Sequence, residues 1–256
     1  MGRYIPREEL KKEKERSVSL MSQPQIEFNG RKSYDDFGLI LNYFKPQPPA
    51  PNIVKIEVPF MNGSYDFSTI GSFGEMTYQN RKLECSFQFK SVYREEAFVR
   101  FSEILKWLME PNKQKLIYSN DFTFYYMAGV EDAPDFDDTF RFGTLKIDFI
   151  AYPFKYSIDE FGDDIWDDFC FLTDYTVYTN TFDINGDTPV VIYNNGRNIT
   201  PVINCSTVMT VTFNNKTYSL VAGDNNVYGL RLKNGENDLA ITGNGTIQVK
   251  FRPEKL

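Results

Sequence analysis

The sequence contains no histidine among its 256 residues, and it is poor in cysteine and tryptophan. Without histidine it cannot form a Ser-His-Asp triad, a Cys-His pair or a histidine-ligated metal site. The three cysteines, Cys85, Cys170 and Cys205, lie far apart and form no CxxC pair, which excludes the usual zinc and dithiol redox motifs. We expect all three to be small buried hydrophobic residues in a reducing compartment.

Long apolar segments are also missing. No run approaches the ~18 consecutive apolar residues that would indicate a membrane span. The N-terminus lacks the apolar core of a secretory signal. We therefore expect no association with a membrane and no secretion signal.

Net charge and aromatic content exclude one further class of function and point to a fold class. The formal net charge is −7, whereas a protein that neutralises nucleic-acid phosphates usually presents a basic face. We therefore expect no sequence-specific nucleic-acid binding. Aromatic residues make up 16% of the chain, which favours β-strands and packed interfaces.

The length predicts two domains, at about 150 residues per domain. The charged residues 1–24 form an N-terminal extension, which is either an arm that docks on a neighbour or a segment without fixed structure. Residues 25–156 form a strand-rich domain. An acidic connector opens the second domain, residues 157–256.

The first domain combines many short strands with one helix. The segment "KLECSFQFK" alternates apolar and polar residues and predicts a strand with one buried face. A helix is predicted over 94–110, ended by Pro111. Its proposed core stripe is Ala97, Phe98, Phe101, Ile104, Leu105 and Leu108. Because no regular strand–helix alternation occurs, we predict an α+β fold that is mostly antiparallel β.

The second domain has turn signals about every ten residues and no helical pattern. Examples are Asn185-Gly186, Asn214-Asn215 and Gly243-Asn244-Gly245. Short alternating segments separated by such turns are typical of an antiparallel β-sandwich.

No pattern predicts a catalytic, cofactor-binding or metal-binding residue. The acidic segments at 131–138 and 159–169 are interpreted as solvated loops, with calcium binding as the weaker alternative because neither has EF-hand spacing. The glycine-rich "IGSFGEM" lacks the Lys-Ser/Thr pair and the following helix of a phosphate-binding loop. The chain is therefore predicted to need no cofactor and not to be an enzyme.

A series of short motifs gives the most specific evidence, through its order along the chain. The motifs are "FNG…SYDDFGL" (28–39), "VPFMNGSYDFS" (58–68), "GEMTYQNRKLECSF" (74–87), "YPFKY" (152–156), "NGRNITPVI" (195–203), "VTFNNKTYSLVAG" (211–223) and "YGLRLKNGENDLAITGNGTIQVKFRP" (228–253). In this order, over about residues 26–256, they resemble the distal tail protein family of siphophages and prophages of Gram-positive bacteria. Residues 1–24 extend beyond the usual start of the family.

The resemblance implies a structural role in the virion. In that family the β-rich N-terminal domain carries one helix and closes into a homohexameric ring at the tail tip, and the C-terminal domain is a galectin-like β-sandwich. The ring joins the tail tube protein to the tail-tip protein and, in many phages, to a receptor-binding protein. The protein is expected to be made in the host bacterial cytoplasm.

A closed ring needs two different complementary patches on each subunit. The acidic turn after the first hairpin and the proline-rich connector are the predicted interface segments, because aromatic anchors and stiff extensions suit that task. The predicted interface residues are Tyr34, Asp35, Asp36, Phe37, Pro46, Pro48, Pro49 and Pro51.

Two other functions are compatible with the residues alone. One is a carbohydrate-binding module for host cell-wall polysaccharide; against it, Trp107 and Trp166 are the only tryptophans and neither lies in the strand-rich region after residue 176. The other is a cell-wall hydrolase with two acidic catalytic residues, whose separation no sequence can give.

Overall fold

The computed structural model describes residues 23–90, 94–109, 111–139, 142–161 and 180–256. The chain divides into two compact units, Met1–Phe122 with Met127–Tyr152, and Thr123–Tyr126 with Pro153–Leu256. The N-terminal extension, Cys170, Trp166 and most of the acidic connector lie outside the described residues. The predicted boundary at residue 156 stays a prediction.

The first unit is built on a curled antiparallel sheet. Its strands follow the order β2-β1-β7-β8-β10-β6-β3, and β9 also pairs with β10. A short strand, β17 (Glu254–Lys255), pairs with Lys155 and Tyr156 at the end of β10, which belong to the second unit. Phe44 on one outer strand packs on Tyr118 near the other end of this order, with ring centroids 4.6 Å apart, so the sheet curls around its core. The strands are β1 (Ile26–Phe28), β2 (Arg31–Lys32), β3 (Ile40–Pro46), β4 (Lys55–Glu57), β5 (Ser64–Asp66), β6 (Arg81–Lys90), β7 (Gln114–Tyr118), β8 (Phe124–Val130), β9 (Asp135–Thr139) and β10 (Phe142–Ser157).

The alternating segment at residues 82–90 forms β6 as predicted. Leu83, Cys85 and Phe87 are fully or almost fully buried on one face. Their partners across the ladder are the buried apolar residues of β10, namely Phe149, Ile147 and Leu145. Burial, with a smaller contribution from the nearby Asp148 carboxylate, raises the pKa of the Cys85 thiol well above its usual value. Cys85 is therefore a core residue, as expected.

The single α-helix of the described residues, α1, runs from Arg94 to Leu108. Ile104 and Leu108 are buried as predicted, but Phe98 is exposed and the stripe also contains the buried Trp107. The indole nitrogen of Trp107 donates a 2.7 Å hydrogen bond to the carbonyl of Phe28. The Trp107 ring also makes an edge contact with the Phe28 ring. Together with the hydrogen bond, this contact turns the Trp107 side of the helix toward the sheet and leaves Phe98 on the outside.

The acidic segment at 131–138 is not a loop throughout, because Asp135–Thr139 forms β9. Phe136 explains this strand: its ring stacks on Phe101 of α1 with centroids 4.4 Å apart. Asp135 and Asp137 alternate with Phe136 and point to solvent. One aromatic residue among carboxylates thus fixes the segment as a strand of the sheet.

The second unit is a six-stranded antiparallel sheet folded over one apolar core. Strand β16 is its centre: it pairs with β11 along its whole length on one side, and with β13 and then β12 on the other. The six strands are β11 (Thr181–Asn194), β12 (Val202–Cys205), β13 (Met209–Phe213), β14 (Lys216–Leu220), β15 (Gly223–Asn226) and β16 (Gly235–Lys250). The mostly β fold class with one helix is confirmed.

Two of the predicted turns are bends within long strands instead. Asn185-Gly186 lies inside β11 and Gly243-Asn244-Gly245 inside β16, and the two segments face each other in unbroken register. The Asn214-Asn215 turn is confirmed, since both residues have positive φ and connect β13 to β14. Paired bends let two strands continue from one layer of the core to the other, where turns would have ended them.

Glycine is required at the bend of β16. Gly245 has a φ of 141°, and a Cβ there would collide with the Ser206 hydroxyl and come within 3.0 Å of Met209 Cε. We expect Gly245→Ala to lower the free energy of unfolding of the second unit by about 1–3 kcal/mol through strain and overpacking. Chemical denaturation measures this loss. Gly223→Ala is the control for backbone strain alone, because open space surrounds its Cβ position.

Two loops of the second unit repeat one asparagine arrangement. The side chain of Asn237 accepts a hydrogen bond from Lys233 N and donates to three backbone carbonyls, at 2.8–3.3 Å. Asn225 makes the corresponding four bonds: its side chain accepts from Val221 N and donates to the carbonyls of Val221, Gly223 and Ile203. Each amide therefore closes a glycine-containing loop and ties it to the neighbouring strand.

Among the described residues, no helix has the length and apolar character that a bilayer crossing needs.

Candidate assembly surface

A long arm, residues 47–80, extends the hairpin formed by β3 and β6. Its base is a stalk held by backbone hydrogen bonds from Gln47 N to Lys82 O, Gln79 N to Ala50 O and Asn52 N to Thr77 O, each 2.8 Å. Beyond the stalk, β4 and β5 form a separate two-stranded sheet. The arm thus leaves the curled sheet as a ribbon, and its only fully buried residue is Ser68.

The ribbon has one apolar face. Ile56 lies directly opposite Tyr65, while Lys55 lies opposite Asp66. Because side chains alternate along a strand, the residues that share the face of this apolar pair are Val54, Val58 and Phe67. All five are exposed. A two-stranded hairpin without a third strand is at best marginally stable in water, so an uncovered apolar face calls for a covering partner.

A polar network closes the base of the ribbon. The Val54 amide donates to the Ser68 hydroxyl at 2.9 Å, and the Ser68 amide donates to an Asp66 carboxylate oxygen at 2.9 Å. Hydrogen bonds from the side chain and then the backbone of Ser68 lower the pKa of Asp66. The ionised Asp66 therefore positions Ser68, and the Ser68 hydroxyl joins the two sides of the arm.

Phe60 lies at the turn of the ribbon. Its relative exposure is 110% and its φ is +69°, a conformation that is costly for a bulky residue. Within the described residues, neither burial nor backbone preference explains why a phenylalanine occupies this position. An exposed aromatic residue on a strained turn has the form of an interface anchor.

The predicted interface turn at 34–37 is held mainly by contacts inside the chain. Phe37 stacks on Trp107 with centroids 4.6 Å apart, and the Arg31 guanidinium lies 4.3 Å from its ring. Asp36 accepts a 2.6 Å hydrogen bond from Lys32 N, and Asp35 accepts one from Gln25. These contacts account for the residues of the turn without a partner. Of the two aromatic residues in this turn, Tyr34 is exposed and Phe37 is half-buried.

The predicted proline residues form the outgoing side of the stalk. Pro46 ends β3, and Pro51 forms an isolated bridge with Tyr78. Pro46, Pro48 and Pro51 are exposed, and Pro49 is half-buried. Without N–H groups they cannot donate to an added strand, so they stiffen the stalk rather than extend the sheet. Assembly through all eight predicted residues stays a prediction.

Two carboxylates of the 131–138 segment form ion pairs with lysines. Glu131 lies 3.6 Å from Lys113 and Asp135 lies 3.8 Å from Lys146. In the part of the chain that the structure describes, no three acidic or cysteine side chains are grouped so that they could hold a metal ion. Trp107 is buried by its own domain and presents no face for a sugar to stack on.

Sequence reasoning missed the apolar face of the arm. The alternation of Val54, Ile56 and Val58 predicts a strand, and such a strand is normally assigned to the core of its own domain. The available signal was the short spacing to Tyr65 and Phe67, which predicts an isolated hairpin, together with the prolines that separate it from β3.

Comparison with known proteins identifies the first unit. Residues 32–151 match the phage tail protein RIFT-related domain. No curated protein sequence matches the chain. Among solved structures, the Dit (gp 19.1) protein of phage SPP1, described as a paradigm of the hub adsorption apparatus in phages infecting Gram-positive bacteria, has a similar fold: the TM-score is 0.63 at 14% identity, over 90% of this chain and 99% of that one.

A chain of the phage p2 baseplate, in its activated conformation with Sr, aligns over 92% of this chain and 99% of its own at 10% identity, with a TM-score of 0.35. The family match and the SPP1 structure agree with the motif order found in the sequence. Residues 32–151 therefore match a phage tail protein domain, and the chain as a whole has a fold similar to that of the SPP1 Dit protein.

Proposed function

We propose that this protein is the structural hub of a phage tail tip. Six copies close into a ring through the first domain, residues 25–156, and the C-terminal domain, residues 157–256, lies outside that ring. The ring joins the tail tube protein to the tail-tip protein and to a receptor-binding protein. The role requires neither catalysis nor a cofactor, and the protein is made in the host cytoplasm before it enters the virion.

The arm is the observation that supports self-assembly. It exposes nine large hydrophobic side chains: Ile53, Val54, Ile56, Val58, Phe60, Tyr65, Phe67, Ile70 and Phe73. Their exposed fractions run from 36% to 110%. Together they present on the order of the 800 Å² that one partner contributes to a standard stable interface. An apolar patch of this size on a free monomer would be unusual.

Light scattering after size-exclusion chromatography tests the proposal. We expect the full chain to form particles of six-fold mass. Changing the opposed pair Ile56 and Tyr65 to aspartate should reduce these to monomers, because it puts two charges into the covered face. Both residues are exposed within the chain, so the monomeric variant should keep the far-UV circular dichroism spectrum of the folded protein.

The matched control changes the polar face of the same strand. Lys55→Ser with Glu57→Ser alters two exposed residues beside Ile56. This control should keep the six-fold mass. A full chain that stays monomeric at high concentration, or an aspartate variant that still forms hexamers, contradicts the proposal.

A further inference from the structure

The outer side of α1 carries three exposed apolar residues next to the exposed polar residues Ser102, Glu103 and Lys106. Phe98, Val99 and Met109 are 53%, 63% and 54% exposed. Met109 continues the helical hydrogen bonding through its amide bond to Leu105 O. Phe98 and Met109 are three helical turns apart and thus lie on the same side, with Val99 beside them. We call these three residues the outer helix patch.

The arm and the outer helix patch are exposed in the same chain. Among the described residues, the arm therefore does not cover its own helix, and both surfaces are open to another molecule. Every copy carries both surfaces, and they are different from one another. A heterologous contact that closes a ring needs such a pair of unlike patches on each subunit.

The two surfaces also match in size and in layer type. The apolar face of the arm, from Val54 to Val58, is about 13 Å long at about 3.3 Å per residue. The patch from Phe98 to Met109 is about 16 Å long at about 1.5 Å per residue. A two-stranded ribbon and a helix are both about 10 Å wide, and a helix packed on a sheet is a standard layer arrangement.

We propose that the apolar face of the arm of one copy docks on the outer helix patch of a second copy. The helix then lies between two β layers: the curled sheet of its own chain, against Ile104, Trp107 and Leu108, and the ribbon of the neighbour against Phe98, Val99 and Met109. This inference rests on the proposed ring and names its acceptor surface.

Thiol crosslinking between two singly substituted proteins tests the contact. One carries Ile56→Cys on the arm and the other Val99→Cys on the helix, both with Cys170→Ser because that cysteine lies outside the described residues. The described native thiols, Cys85 and Cys205, are buried. A short bifunctional thiol reagent should give covalent dimers in the mixture and none with either protein alone.

The control replaces Ile56→Cys by Lys55→Cys, on the opposite face of the ribbon, and should give no dimer with Val99→Cys. Dimers from Ile56→Cys alone would mean that arms pack on each other, which overturns the proposal. If the mixture gives no dimer while light scattering still shows six-fold mass, the acceptor is wrong and the ring stands. If all proteins are monomeric, the ring and its acceptor fail together.

Discussion

Replacing Ile104 with aspartate is expected to unfold the first unit. Ile104 is 1% exposed on the inner side of α1, one turn before Leu108, which is also fully buried. A carboxylate there would lose its hydration without gaining a partner, at a cost of roughly 3–5 kcal/mol. That is a large part of the ~5–15 kcal/mol that stabilises a typical domain. Circular dichroism and the soluble fraction after expression measure the effect.

Val99→Asp is the matched control, since it puts the same charge on the exposed side of the same helix. It should leave the circular dichroism spectrum and the soluble fraction nearly unchanged. Phe101→Asp and Leu105→Asp, which the sequence pattern offers for the same test, should cost less because both positions are half-buried and the carboxylate can reach water. Folded, soluble Ile104→Asp protein would show that α1 does not pack as described.

The second large effect is expected for Asn237→Asp. The amide nitrogen of Asn237 donates to the carbonyls of Lys233, Gly235 and Ile192. An aspartate of the same shape would lose these donors and turn a negative charge toward three carbonyl oxygens in a buried site. We expect a loss of about 3 kcal/mol or more in the free energy of unfolding of the second unit, measured by chemical denaturation at neutral pH.

The deficit should shrink in acid, because protonation removes the charge and returns one donor to the loop. Asn226→Asp, an exposed position on β15, is the matched control and should cost less than about 0.5 kcal/mol. Equal losses in the two variants would mean that the loop does not depend on the buried amide. The same comparison can be repeated at Asn225, where the bonding is identical in kind.

Local rules predicted the parts of the fold that depend on near neighbours. The alternation of Leu83, Cys85 and Phe87 predicts β6 and its buried face because period-two burial is a property of the strand itself. The Asn214-Asn215 turn is likewise local, since these residues tolerate the positive φ of a tight hairpin.

The errors arose where distant residues decide. Phe98 and Trp107 are both apolar and both fit a helical stripe, but only Trp107 meets Phe28, which is 79 positions away. Phe136 turns an acidic segment into a strand because Phe101 lies beneath it. No local pattern distinguishes these partners. The residues that form the arm were visible as strands, but only the absence of a covering layer reveals them as a candidate interface.

The central position of β16 has a consequence for the order of folding during synthesis. Strands β11, β12 and β13 each pair with β16, and β14 and β15 join the sheet only through β13 and β12. All five are translated before residues 235–250 leave the ribosome. The growing chain must therefore hold the apolar side chains of this domain without their shared partner, and chaperones have their longest opportunity to bind during that interval.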